Sequence, residues 1–99
     1  MKIPKQFDLF GRTITVKFDK KLTDKEGWQG SACFREDIIK IQSNGENLKR
    51  PEVRKEQTFY HELVHWIYNV MEEMELCSNE KHVEIFSQLL HQALKTAKY

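Results

Sequence analysis

Hydrophobic and polar positions divide the chain into a front half of period two and a back half of period 3.6. Phe7-Asp8-Leu9-Phe10 is followed by Gly11-Arg12 and then by Thr13-Ile14-Thr15-Val16-Lys17-Phe18. The second run puts Ile14, Val16 and Phe18 on one face and Thr13, Thr15 and Lys17 on the other, which predicts a half-buried strand. Gly11, first in a two-residue loop, predicts a type II′ hairpin joining the runs. Residues 19–30 are polar and predict a loop with a helical turn near Thr23 to Glu26. A second hairpin follows, from Ser31-Ala32-Cys33-Phe34 through Arg35-Glu36-Asp37 into Ile38-Ile39-Lys40-Ile41-Gln42. Ser43 to Arg50 is polar, with Asn44-Gly45 as a turn signal.

Beyond this point the period changes. Pro51 suits the opening of a helix, where its missing N–H has no partner to lose. From Glu52 to Met74 neither glycine nor proline intervenes, and Tyr60, Leu63, Val64, Ile67, Met71 and Met74 recur at helical spacing. Cys77-Ser78-Asn79 breaks the pattern, and Ser78 or Asn79 can cap a second helix. Val83, Phe86, Leu90, Ala93, Leu94 and Ala97 form its expected core stripe, with Leu89 beside it. The prediction is one α+β domain over residues 1–99: a small antiparallel or mixed sheet of about four strands (1–45), then helices over 51–75 and 79–97 packed on it.

Composition narrows the function. With 99 residues the chain holds one core. Its 16 lysines and arginines nearly balance its 15 acids, so charge argues against nucleic acid or a membrane surface as partner. No apolar run is long enough to span a bilayer, and the first residues lack the pattern of a signal peptide; the expected address is the cytoplasm. There Cys33 and Cys77 are expected to be free thiols. Trp28, Trp66 and Tyr99 are candidates for an exposed contact surface, and oligomeric state is not legible.

The chemistry lies on the two helices. His61 and His65 in "HELVH" differ by only about 40° around a helix and about 6 Å along it, so both imidazoles can serve one metal ion. Glu62, one position on, emerges beside that ion, where a carboxylate can deprotonate a water. The metzincin continuation is missing, since Tyr68 and Met71 stand where it requires Gly and His. A third ligand must come from "NEKHVEIF", residues 79–86. Glu80 and Glu84 share a face that continues through Ser87 to His91. Glu80, near a helix N-terminus, suits a ligand, and Glu84 suits a partner for a ligand histidine. Glu84 and His82 remain alternatives for third ligand, although His82 lies about 160° around the helix from Glu80. His91 is roughly 16 Å further along and could line the far wall of a cleft.

"HELVH" followed by "NEKHVEIF" resembles the gluzincin arrangement, in which HExxH is completed by the Glu of an NExxx(D/E) motif. Over nearly its whole length the chain is similar to compact cytoplasmic zinc-peptidase-like domains of the ImmA/IrrE and minigluzincin kind, and to small phage and prophage proteins with a closing "LLHQAL". The resemblance implies zinc held by His61, His65 and Glu80, with Glu62 as general base and Glu84 as partner of His61. It implies a peptide or protein substrate paired with the edge strand Ser31, Ala32, Cys33 and Phe34, preceded by Gly30. Equally, those small residues could simply pack under the helix. Larger members carry a Tyr or His that stabilises the oxyanion, on segments absent here; Tyr68 and His91 are the candidates by face. The expected function is a zinc metallopeptidase, the alternative a non-catalytic zinc-containing binding module of phage or prophage origin.

Overall fold

A computed structural model describes residues 2–19, 29–43 and 51–99. The expected turns at 23–26 and Asn44-Gly45, and Trp28, lie outside the described residues. Four strands form one mixed sheet: β1 (Gln6–Leu9), β2 (Arg12–Asp19), β3 (Gly30–Cys33) and β4 (Ile38–Gln42), in the order β1-β2-β4-β3. Three helices follow: α1 (Glu52–Val70), the short α2 (Met74–Ser78) and α3 (Glu80–Thr96). The fold is α+β, with helices packed on the sheet.

The first hairpin turns at Phe10-Gly11, since Leu9 pairs with Arg12. Both turn residues have positive φ, 52° and 84°, the signature of a type I′ turn, so the expected type II′ turn at Gly11-Arg12 is corrected. The glycine takes the left-handed conformation freely, and its solvent-exposed neighbour Phe10 adopts it under turn constraint. The second hairpin pairs β3 antiparallel with β4, and the two hairpins join through a parallel β2–β4 ladder in which Val16 faces Ile39.

Alternation decides what the sheet buries. Ile14, Val16, Ile39 and Ile41 point to the helical side and meet Phe59 and Trp66 from α1. Phe18, expected on that face, is half exposed at the end of its strand, with the Lys55 ammonium over its ring. Trp66, expected as a surface aromatic, is fully buried. Its Nε1–H donates to the Ile38 carbonyl at 3.4 Å, Phe34 packs edge-on against it, and the Arg12 guanidinium lies 5.0 Å from its ring centre. Arg12 is itself held by Asp37 and the Phe34 carbonyl.

α1 ends at Val70, five residues before the expected boundary of 75. Glu72 takes φ 61°, the Glu72 N–H donates to Asn69 O at 3.1 Å, and the Glu73 N–H to Tyr68 O at 2.9 Å. That is a Schellman motif with glutamate where glycine is usual, so no sequence signal announces it. Asn79 then caps α3: its Oδ1 accepts from the His82 backbone N–H at 3.0 Å.

α3 lies against α1 along a line that the apolar pattern does not predict. The buried positions are Val83, Ser87 and His91, while Phe86, Leu89 and Leu94 are exposed. The polar stripe Glu80, Glu84, Ser87, His91 therefore faces α1. At its far end His91 Nε2 meets Glu56 Oε1 at 2.8 Å and Lys95 Nζ meets the same oxygen at 3.1 Å. Burial would push Glu56 up, but the bonds from His91 and Lys95 outweigh it and hold the carboxyl below its ordinary range.

Candidate metal centre

The centre lies in a cleft of about 630 Å³ between α1, α3 and the β3 edge of the sheet. On α1 the helical spacing brings His61, Glu62 and His65 to the cleft. From α3, Glu80 and Glu84 reach across because they open the helix that Asn79 caps.

Three ligating atoms converge. His61 Nε2 is 3.2 Å from His65 Nε2 and 3.2 Å from Glu80 Oε2. His65 Nε2 is 3.0 Å from Glu80 Oε1. Behind this set, His61 Nδ1 donates to Glu84 Oε2 at 2.8 Å, which turns Nε2 toward the cleft. His65 is 9% exposed; burial pushes its imidazole below its ordinary range, Glu80 pulls it back up, and the neighbouring His61 adds to the lowering. Its Nδ1 is 3.9 Å from the Cys77 thiol, which in turn donates to the His65 carbonyl at 3.4 Å. Two ring nitrogens and a carboxylate thus meet across about 3 Å, an arrangement that needs a shared proton or a cation among them to be favourable. A tetrahedral ion bound at about 2.0–2.1 Å separates its ligands by roughly 3.3 Å, close to the spacing found. Among the described residues His61, His65 and Glu80 are the group that could hold such an ion.

Glu62 adjoins this cluster. It is 6% exposed and still lines the cleft. Burial, then the charges of Glu80 and Glu84, raise its carboxyl to about 8. Such a group binds and releases a proton near neutrality.

Other expected residues fall elsewhere. Tyr68 does not line the cleft: its hydroxyl is 2.7 Å from His82 Nε2, in a ring cluster with Phe86. That contact also takes His82 away from His61, His65 and Glu80. His91 is paired with Glu56 and does not line the cleft either. Neither residue expected to stabilise an oxyanion lines this cleft: the stripe toward α1 carries His91 down the helix interface, and the face bearing Tyr68 turns toward His82. On β3, Gly30, Ser31, Ala32 and Phe34 border the cleft, whereas Cys33 turns away and its thiol contacts the Ser31 hydroxyl at 3.6 Å.

Gly30 explains how the strand comes so close. A Cβ there would lie 2.5 Å from Thr58 Cγ2 and 3.2 Å from Glu62 Cγ. Gly30→Ala is expected to push β3 off α1 and to cost about 1–3 kcal/mol in urea unfolding. Adding Thr58→Ser, which deletes the clashing methyl, should restore part of it, since the Lys40 carbonyl oxygen still lies 3.1 Å from the new Cβ; an alanine variant as stable as the parent contradicts the close packing.

Gln29, Gln88 and, on α1, Arg54, Gln57 and Thr58 also line the cleft and were not anticipated; the α1 set is the informative one. Their signal was available: stepping back from His65 through His61 by helical turns reaches Thr58 and then Arg54. Cys77, behind His65, had no such signal, because it depends on how α2 folds back. No family model, curated protein or solved structure matched the chain in comparison.

Proposed function

We propose that the chain is a zinc-dependent metallopeptidase of gluzincin type, with His61, His65 and Glu80 as ligands. The observation that carries the reading is the convergence of three acceptor atoms from two helices, with a buried carboxyl beside them in an open cleft. A zinc ion held there would polarise a peptide carbonyl and make water acidic enough to attack it. Glu62 accepts the proton from the attacking water and returns it to the leaving amine. Glu84 fixes the His61 ring through Nδ1, so that Nε2 stays turned to the cleft. The β3 edge offers backbone groups to an extended peptide.

One observation favours the second reading, a zinc-containing binding module. Among the described residues, the cleft has no histidine or tyrosine beyond His61 and His65 to stabilise an oxyanion. Two measurements on one preparation separate the readings. Zinc titration of metal-free protein should reach one ion per chain; a ratio that stays near zero rejects both. A peptide library read by mass spectrometry should show cleavage that stops with chelator. One zinc per chain with no cleavage leaves the binding module.

A further inference from the structure

Arg54 is the only lysine or arginine among the described residues lining the cleft, which it shares with Glu62, Glu80 and Glu84. Its backbone is fixed in α1, where its carbonyl accepts from the Thr58 hydroxyl at 2.9 Å. Its guanidinium makes no ion pair with a described residue, whereas Arg12, Lys55 and Lys95 pair with Asp37, Glu52 and Glu56. Of the cleft carboxylates, Glu80 lies against both imidazoles, Glu84 lies against His61, and Glu62 is buried. An unpaired guanidinium at the end of a cleft is suited to a carboxylate from outside, which it can take in a two-pronged bond.

The strand places that carboxylate. Gly30 lies against Thr58 and Glu62, while Phe34 meets Trp66, so β3 runs alongside α1 in the same direction. A peptide along the β3 edge passes from Phe34, across the His61–Glu62 region, to Gln29 and Arg54. Seven residues of helix separate Arg54 from His61, about 10 Å, or roughly three residues of extended chain.

We propose, on the footing of the peptide-site reading above, that Arg54 is a specificity-determining residue selecting peptides with a carboxylate about three residues from the bond presented to the centre. The carboxylate belongs to an Asp or Glu side chain or to the peptide's own C-terminus.

The test uses the zinc-loaded full chain with Glu62→Gln, which holds peptide without turning it over. Labelled peptides carry one Glu, Gln or Lys scanned along a neutral sequence with an amidated end; a parallel set has neutral side chains and a free C-terminus. The Arg54 chain should bind one Glu register, or the free-terminus set, about fivefold tighter than the amide counterpart. The two sets tell which carboxylate is read. Arg54→Gln should bring the ratio to about one, and Arg54→Glu should transfer the preference to Lys in the same register. A preference absent from the Arg54 chain, surviving Arg54→Gln, or not inverted by Arg54→Glu overturns the inference. Carboxylate-dependent binding by a chain whose Glu62 form cuts nothing upholds Arg54 and rejects the peptidase; cleavage indifferent to Arg54 does the reverse.

Discussion

Replacing His65 by alanine is expected to abolish zinc binding at micromolar metal and the thermal stabilisation that accompanies it. His65 Nε2 is the atom closest to both other donors' positions, 3.2 Å from His61 Nε2 and 3.0 Å from Glu80 Oε1. A structural-type zinc site is worth about 10–16 kcal/mol over its ligands, so losing one of three protein ligands should weaken binding about a thousandfold. At a hundred to a thousand times its dissociation constant, zinc would stabilise the parent by about 2.7–4.1 kcal/mol. For a domain of this size that is roughly 10–25 °C in melting temperature. The variant should show none of this shift at the same zinc concentration. Titration against a chromogenic chelator and paired melts decide it; an affinity within tenfold of the parent would falsify the assignment of His65 as a ligand.

The second large effect concerns Glu62, and it has opposite signs for stability and for activity. The folded, metal-free chain holds this carboxyl at about 8 against an ordinary 4.5. Below pH 4.5 the group is protonated in both states and contributes no difference. Between about 4.5 and 8 the unfolded chain releases the proton and the folded chain keeps it, so stability falls as pH rises through that window. Glu62→Gln has no proton to release. The metal-free variant should match the parent near pH 4 and exceed it by about 2–4 kcal/mol at pH 8. Zinc should narrow the gap, because a nearby cation favours the carboxylate. Cleavage, meanwhile, should fall at least about a hundredfold. Urea unfolding with chelator at the two pH values reads the first effect; a variant less stable than the parent at pH 8 would show that the carboxyl is not held protonated.

Local signals read well where neighbours in sequence settle the geometry. The spacing of His61 and His65 puts two imidazoles on one helix face whatever the helix packs against, and Glu62 follows beside them. Ile14, Val16, Ile39 and Ile41 alternate, and each is buried as alternation requires. Phe59 and Trp66 escaped the reading of α1 because the helix is buried on two sides: one apolar line meets the sheet, and another side meets α3. A single-stripe reading followed Tyr60, Leu63, Val64 and Ile67 and left Trp66 outside.

The helix pair shows the limit most clearly. On apolar pattern alone, α3 should bury Phe86, Leu90 and Leu94 along with Val83. Of these it buries Val83 alone, together with Ser87 and His91, because contacts of His61 with Glu80 and Glu84, and of Glu56 with His91, align the polar stripe with α1. A buried carboxylate such as Glu56 must find its partners, and that requirement outweighs leaving several apolar side chains half exposed on an open helix face.

By itself, then, the sequence determined the α+β class, the two hairpins, and the HELVH face, since all of these rest on contacts between near neighbours along the chain. Tertiary structure alone decided the parallel β2–β4 join, the rotation of α3 that brings Glu80 to the histidines, the placing of Tyr68 and His91 outside the cleft, and an Arg54 that has no ion pair among the described residues. Those depend on which distant groups satisfy one another's charge and hydrogen bonds, and periodicity along one chain segment carries no information about that.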